Sequence, residues 1–459
     1  MRITLNVIAH GWNMIMFMGL ICFALNADAQ SQKDKLFYVL EGHWNGAFIK
    51  DNSYQKFDIQ FYKTDDLIKS LQIIEEWHPQ FGEFELPVEI DSLGQIRFNT
   101  GHGKAIMQLD TISLEMTGQI ENSLPAMYVH FKKMASPPSP SYEVIPIEVP
   151  NGEVILSGHL HKPLFRKTKT AIIIVGGRGC YAGSTKYDLY GKLLREYGVS
   201  VLSFNKRGTG KSTGNCNQAT IGDLVSDVNA LRNYLLERDE KFQYIGLLGS
   251  SAGGWVIAKA SEAGKFDFMI SIVGPSTSVR DQQLQSMNYG LKFFKLPENS
   301  RKDLLEYTNM MFDAKASDNN FDRFNKLLAN SKRDDWFQLL EDTDIPNSIE
   351  GIDSLWVRRH DYDPGESLRR FMNPFLAIYG EKDWVVPYKE NIIRLNGLFI
   401  GDQKAMLNTV VAANAGHGTE VEECNVELKN DKSYWRFFRI SPQITIELIA
   451  FLKKYGIIE

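Results

Sequence analysis

Gly249-Ser250-Ser251-Ala252-Gly253 follows an apolar run that includes Ile245, Leu247 and Leu248, and a helix-like segment comes directly after it. This is the G-x-S-x-G spacing of a strand–turn–helix elbow, where a serine sits on a sharp, strained turn that only small flanking residues permit. Gly249 and Gly253 meet that requirement for Ser251. Ser250, flanked at the same distance by Leu248 and Ala252, does not meet it. A serine hydroxyl is a weak nucleophile until a base takes its proton, and the base needs a carboxylate to orient it. Two histidines follow Ser251, and of these His417, not His360, lies in a glycine-flanked loop (Ala415-Gly416-His417-Gly418) directly after an expected strand. Phe375–Tyr379 reads as another strand and runs into Gly380-Glu381-Lys382-Asp383-Trp384-Val385-Val386-Pro387, which supplies the carboxylate. Asp383 is the expected orienting group, with Glu381 its competitor two positions earlier. Such a set carries out acyl transfer: Ser251 attacks a carbonyl carbon, His417 takes the proton, and Asp383 stabilises the imidazolium. The oxyanion that forms needs backbone donors, one of them expected from Ala252 directly after the serine.

These residues need a scaffold that delivers them to one edge. From Tyr142 onward, short apolar runs alternate with helical periodicity, the pattern of a mostly parallel sheet covered by helices. Val154–Leu160 reads as an entry strand. Ala171–Val175 (AIIIV) is apolar throughout, as a strand buried on both faces should be. Tyr187–Tyr197 is expected to be helical, Val199–Phe204 the next strand, and Ile221–Leu235 a helix with apolar residues on one face. After the elbow strand come Phe268–Val273, Phe375–Tyr379 and Ala405–Val411. Ser441-Pro442 forms an N-cap and first-turn pair for a closing helix through Leu452. Residues 275–372 interrupt this alternation with a long aromatic and charged insertion of helical period, the composition of a cap or lid over the site. Its aromatics (Phe293, Phe294, Trp336, Trp356) suit either an apolar-lined pocket or the cap's own core.

Residues 30–134 read differently. Phe57, Ile59 and Phe61, then Ile96 and Phe98, then Met127, Val129 and Phe131 alternate with polar residues, and turn residues punctuate them. A helical turn is expected only around 65–71. Several short strands in about a hundred residues form a small all-β domain, a barrel or a sandwich. Gly42-His43-Trp44 resembles the G-x-W signature of lipocalin-like barrels, and an accessory role is the expectation. Ala135–Tyr142 (ASPPSPSY) is a stiff proline-rich linker to the α/β domain at 143–459.

Residues from about 142 to the C-terminus resemble the α/β-hydrolase superfamily, most of all its exported bacterial serine esterase-like members with an extra N-terminal β domain. Three ordered matches carry the resemblance. These are the elbow at Ser251, the acid loop Gly380-x-x-Asp383-x-x-Val386-Pro387, and Arg207-Gly208-x-Gly210-x-Ser212 after an earlier strand. The chain order Ser251, Asp383, His417 is that of this fold. The resemblance implies ester hydrolysis through an acyl-enzyme and places a second oxyanion donor at Gly177 or Arg178, within Gly176-Gly177-Arg178-Gly179. It implies no metal or organic cofactor, and a small-molecule ester as the partner. Asn205 stands where relatives often carry aspartate. Ser250 and Ala252 flank the nucleophile where close relatives often have histidine and glutamate. These departures bear on substrate preference. Two alternatives stay open: a serine peptidase of the prolyl-oligopeptidase type, and a non-catalytic ligand-binding module. The first needs a multi-bladed propeller, for which the N-terminal domain is too small.

Other features bound the reading. A net charge of −5 gives no electrostatic case for nucleic acid or an anionic membrane. Residues 1–29 read as a signal peptide: Arg2, then the apolar Met14–Leu25, then Ala27-Asp28-Ala29. The apolar core is short for stable membrane insertion, so the expectation is an exported protein, periplasmic or secreted. Cys180, Cys216 and Cys424 follow the leader, and Cys180 can pair with Cys216 across neighbouring loops. Lys206–Ser212 (KRGTGKS) ends like a phosphate loop, but Asn205 occupies the position of its first glycine. Arg207 is expected to form a structural ion pair. His159 and His161 lie two apart on one strand face and are expected to pack rather than bind metal.

Overall fold

The computed structural model describes residues 33–419 and 441–459 apart from short breaks at 51–52, 65–66, 74–82, 92, 101–102, 125, 137–140, 166–168 and 181–184. The expected leader and Cys424 lie outside the described residues. The chain divides between Ser139 and Pro140 into two compact units.

The first unit is a closed antiparallel barrel of eight strands, each paired to the next: β1 (Gly42–Lys50), β2 (Ser53–Thr64), β3 (Leu67–Ile73), β4 (Glu83–Ile90), β5 (Ile96–Thr100), β6 (Gly103–Asp110), β7 (Glu115–Ile120) and β8 (Tyr128–Lys133). Strand β1 pairs with β8, Phe48 opposite Val129, which removes the open edges a sandwich would keep. Closure decides between the two all-β expectations in favour of the barrel. The alternating apolar positions Trp44, Phe48, Phe61, Phe98, Met107 and Phe131 are at most 2% exposed. The Trp44 indole N–H donates to the Leu40 carbonyl at 2.7 Å, so its polar atom stays paired in the core. The turn expected around 65–71 is instead strand β3, whose Ile68, Ser70 and Gln72 sit opposite β2 residues. Cross-strand pairing overrode a short local period there.

The second unit carries an eight-stranded sheet in the order β16-β15-β14-β13-β11-β12-β10-β9. Its strands are β9 (Tyr142–Asn151), β10 (Val154–Pro163), β11 (Thr170–Val175), β12 (Val199–Phe204), β13 (Tyr244–Ser250), β14 (Phe268–Ile272), β15 (Phe375–Gly380) and β16 (Leu407–Ala412). From β12 across to β16 neighbours run parallel, whereas β9 and β10 form an antiparallel hairpin at one edge. Strands β11, β14 and β15 are buried along their whole length and β13 from Ile245 onward, which explains their continuous apolar runs. Sequence reading missed β9 because Pro146 and Pro150 interrupt it. Its place at the sheet edge is where proline is tolerated.

Helices α1 (Thr185–Glu196), α2 (Ile221–Glu237) and α3 (Gly253–Ala263) alternate with the central strands. Thr220 and Asp223 form a reciprocal capping box that starts α2. Between β14 and β15 lie α4 (Val279–Phe293), α5 (Ser300–Asp313), α6 (Asp318–Arg333), α7 (Trp356–Arg359), α8 (Gly365–Arg370) and three short 3-10 turns. The first three build a cap core around Tyr307, Phe324 and Trp336, each fully buried, with Tyr307 packed edge-on to both neighbours. Helix α9 (Tyr388–Leu398) follows β15, and α10 (Pro442–Lys454) closes the chain after Ser441.

Candidate active site

In an open parallel sheet the carboxyl ends of the strands form one edge, and loops leaving it converge there. Ser251 leaves β13, Asp383 leaves β15 and His417 follows β16. The structure brings the three together. Ser251 Oγ donates to His417 Nε2 at 3.0 Å, and His417 Nδ1 donates to Asp383 Oδ2 at 2.9 Å. Asp383 is buried to 3% exposure, and its other oxygen accepts from the Val385 and Val386 amides, both at 2.9 Å. Those two bonds fix the carboxylate plane and leave only Oδ2 for the imidazole. The acid and base loops are joined by the Glu381 amide on Ala412 O at 3.0 Å and the Lys382 amide on Ala415 O at 2.9 Å. Glu381, the competing carboxylate, accepts from the Asn414 amide at 2.9 Å and so braces the loop that carries His417. His360 lies elsewhere: it stacks on Trp356 with ring centres 4.3 Å apart, and burial pushes its pKa down to about 4.

Ser251 has φ +51°, left-handed backbone that a non-glycine residue holds only under constraint from its surroundings. Its amide donates to Ile272 O at 3.0 Å, and helix α3 begins two residues on, pointing its positive end at the serine. The elbow closes because Gly249 and Gly253 have no side chains. A Cβ at Gly249 would stand 2.6 Å from Gly253 O, and one at Gly253 would stand 2.5 Å from Val175 O and 2.9 Å from Gly176 O. Both obstacles are backbone, which cannot swing aside. Gly253→Ala is therefore expected to destabilise the protein by about 2–3 kcal/mol, read as a lower urea midpoint. An unchanged midpoint would contradict this account of the turn.

The loop after β11 lies against the serine: a Cβ on Gly177 would come within 3.1 Å of Ser251 Cβ and 3.6 Å of its Oγ. Ala252 sits directly after Ser251 at the start of α3. Arg178 extends from the same loop to the cap. Its guanidinium bonds Thr343, pairs with buried Asp344 at 2.6 Å and lies over the Trp356 ring at 4.4 Å. The loop that faces the serine is thus tied to the cap by an ion pair.

A cleft of about 780 Å³, its mouth included, opens onto Ser251 and His417. Its apolar walls include Trp255, Met287, Leu339, Trp356 and Trp384, and Gln282 and Gln283 of α4 add polar groups. Of the cap aromatics singled out from sequence, Trp356 lines this cleft and Trp336 lies in the cap core. Phe293 and Phe294 are partly exposed and pack against Trp384.

Arg207 forms the expected ion pair, bonding Asp227 at 2.7 Å and Asp223 at 2.7 Å on α2. Ser212 donates to Asn205 O at 2.8 Å and accepts from the Ser157 amide at 2.9 Å, so KRGTGKS is a structural turn. Cys180 and Cys216 are joined in a disulfide. His161 is buried and stacks on Tyr142.

A family model described as "Serine aminopeptidase, S33", a hydrolase family, matches residues 166–311. The human mitochondrial palmitoyl-protein thioesterase ABHD10 is 26% identical over 133 residues, 29% of this chain and 39% of that protein. The match therefore spans well under half the length of that relative. Among solved structures, an esterase of Pyrococcus furiosus is 18% identical, covering 70% of this chain and 98% of its own, with a TM-score of 0.44. VinJ is 17% identical over 69% of this chain and 99% of its own, also with a TM-score of 0.44. With its sheet order and its serine elbow, the second unit has the α/β-hydrolase fold. In the chain an N-terminal β barrel precedes it.

Proposed function

We propose that this protein is a serine esterase that cleaves carboxylic esters through Ser251, His417 and Asp383. The observation that carries the reading is the unbroken hydrogen-bond chain from Ser251 Oγ through His417 to buried Asp383, at the tips of three strands of one sheet. His417 Nε2 accepts the Ser251 proton as Oγ bonds to the ester carbonyl carbon. The imidazolium then gives that proton to the departing alcohol as the C–O bond breaks, and a water deprotonated by His417 hydrolyses the acyl-enzyme. The Ala252 amide and one from the Gly177–Arg178 stretch hold the oxyanion, each such donor being worth about a hundred- to thousandfold in rate. The aromatic and aliphatic cleft walls favour an apolar acyl or alcohol part.

Hydrolysis of a graded series of p-nitrophenyl esters tests the proposal. The expected result is turnover of short and medium acyl chains that falls off once the cleft is filled. Turnover confined to aminoacyl p-nitroanilides would replace the esterase reading with the peptidase its family model is named for. The first unit is a closed barrel rather than a propeller, which removes the structural feature that a prolyl-oligopeptidase reading requires. The Cys180–Cys216 disulfide and the leader-like N-terminus together support export into an oxidising compartment.

A further inference from the structure

Lys206 follows β12 by two residues, and its ammonium donates to two carbonyls of the loop that faces the serine: Gly177 O, and Gly179 O at 3.0 Å. The positive φ of Gly179 (+107°) bends the loop so that both carbonyls reach one cation. Strand order gives this contact a direction. Strand β11 runs between β13 on one side and β12 on the other, so its loop lies between Ser251 and Lys206. A trans peptide holds its C=O and N–H on opposite sides. Drawing the Gly177 carbonyl toward the β12 side therefore turns the N–H of the same peptide, which belongs to Arg178, toward the β13 side and Ser251.

We infer that Lys206 is a positioning residue that selects and orients the Arg178 N–H, rather than that of Gly177, as the second oxyanion donor. The inference rests on the serine-esterase reading of the site. The ammonium acts in two ways. It fixes the peptide plane before substrate arrives, so no reorganisation is needed as negative charge develops. It also polarises the Gly177–Arg178 amide, making its N–H a stronger donor through hydrogen-bond cooperativity. The Arg178 side chain, held by Thr343, Asp344 and Trp356, anchors the same residue from the cap side.

Burying an ammonium is costly, and desolvation brings the Lys206 pKa down to about 8. Methionine, an apolar residue of similar length, would escape that cost but would leave the Gly177 and Gly179 carbonyls without this donor, so a melting temperature is recorded beside each rate. That separates a positioning role from a merely structural one.

The experiment compares wild type with Lys206→Met and Lys206→Gln for p-nitrophenyl ester turnover and for the rate of covalent labelling by a serine-directed phosphonate. Lys206→Met is expected to lower kcat by about 10- to 100-fold, part of the value of one oxyanion donor. KM should stay within about twofold, since the interaction forms only in the transition state. The labelling rate should fall in parallel while the melting temperature is kept. Lys206→Gln, which retains neutral N–H donors, should recover part of the loss.

The wild-type pH profile supplies a second readout that does not depend on a variant folding. Lys206 is charged below its pKa, so the labelling rate should decline as pH rises through about 8. The other charged or titratable groups lining the cavity beside Lys206 are Arg178, Arg359 and His360. His360 titrates near 4, and a guanidinium keeps its charge in this range. Wild-type labelling with equal kcat in Lys206→Met would overturn the inference and leave the esterase reading intact. A flat wild-type profile from pH 7 to 10 would do the same. Absence of wild-type labelling would overturn both.

Discussion

Ser251→Ala and His417→Ala are each expected to lower kcat for ester hydrolysis by about 10⁴- to 10⁶-fold, with the double variant no worse than the poorer single one. The non-additivity is the informative part. Oγ and Nε2 stand 3.0 Å apart and share one proton, so removing either leaves the other with nothing to do. The residual rate then comes from the oxyanion donors and from substrate binding in the cleft. Steady-state kinetics on the three variants with one p-nitrophenyl ester measures this. Losses that multiply would mean that the two residues act in separate steps, and the hydrogen bond between them would not be the catalytic link.

Asp383→Asn should cost about 10⁴-fold in kcat while leaving the fold intact, and the reason lies in the second carboxylate oxygen. Asp383 Oδ1 accepts from the Val385 and Val386 amides. An asparagine must therefore keep its carbonyl oxygen at that position and turn its NH₂ toward His417 Nδ1. A donor facing Nδ1 makes that nitrogen the acceptor and moves the imidazole proton to Nε2, which can then no longer accept from Ser251. The orienting group fails by imposing the wrong tautomer. Kinetics, with a thermal melt as control, checks the claim. Activity within tenfold of wild type would show that Asp383 does not set the tautomer.

Much of this site was legible in the sequence because its parts are local. The elbow needs glycines two positions either side of Ser251, and the structure shows backbone within 3 Å of where their side chains would lie. The acid loop follows the fully buried strand β15 and the base loop follows its neighbour, the partly exposed edge strand β16, so their order along the chain already placed Asp383 and His417 near each other. What sequence could not supply depends on distance. Nothing local marks Lys206, whose contacts lie 27 and 29 residues away across two strand ends. Nor does anything near Arg178 announce Asp344, 166 positions later. Cap aromatics could not be sorted into wall and core, because Trp336 and Trp356 have the same local setting but different partners in the folded cap. Strand β9 was hidden by its prolines, which only its edge position explains.

The central claim is that Ser251 is an activated nucleophile, and covalent labelling with a serine-directed phosphonate tests it most directly. Incubation at neutral pH followed by intact-mass measurement and peptide mapping should give one adduct per chain, on Ser251, with none in Ser251→Ala or His417→Ala. An unlabelled wild-type protein, or an adduct on Ser250 that persists in Ser251→Ala, would contradict it.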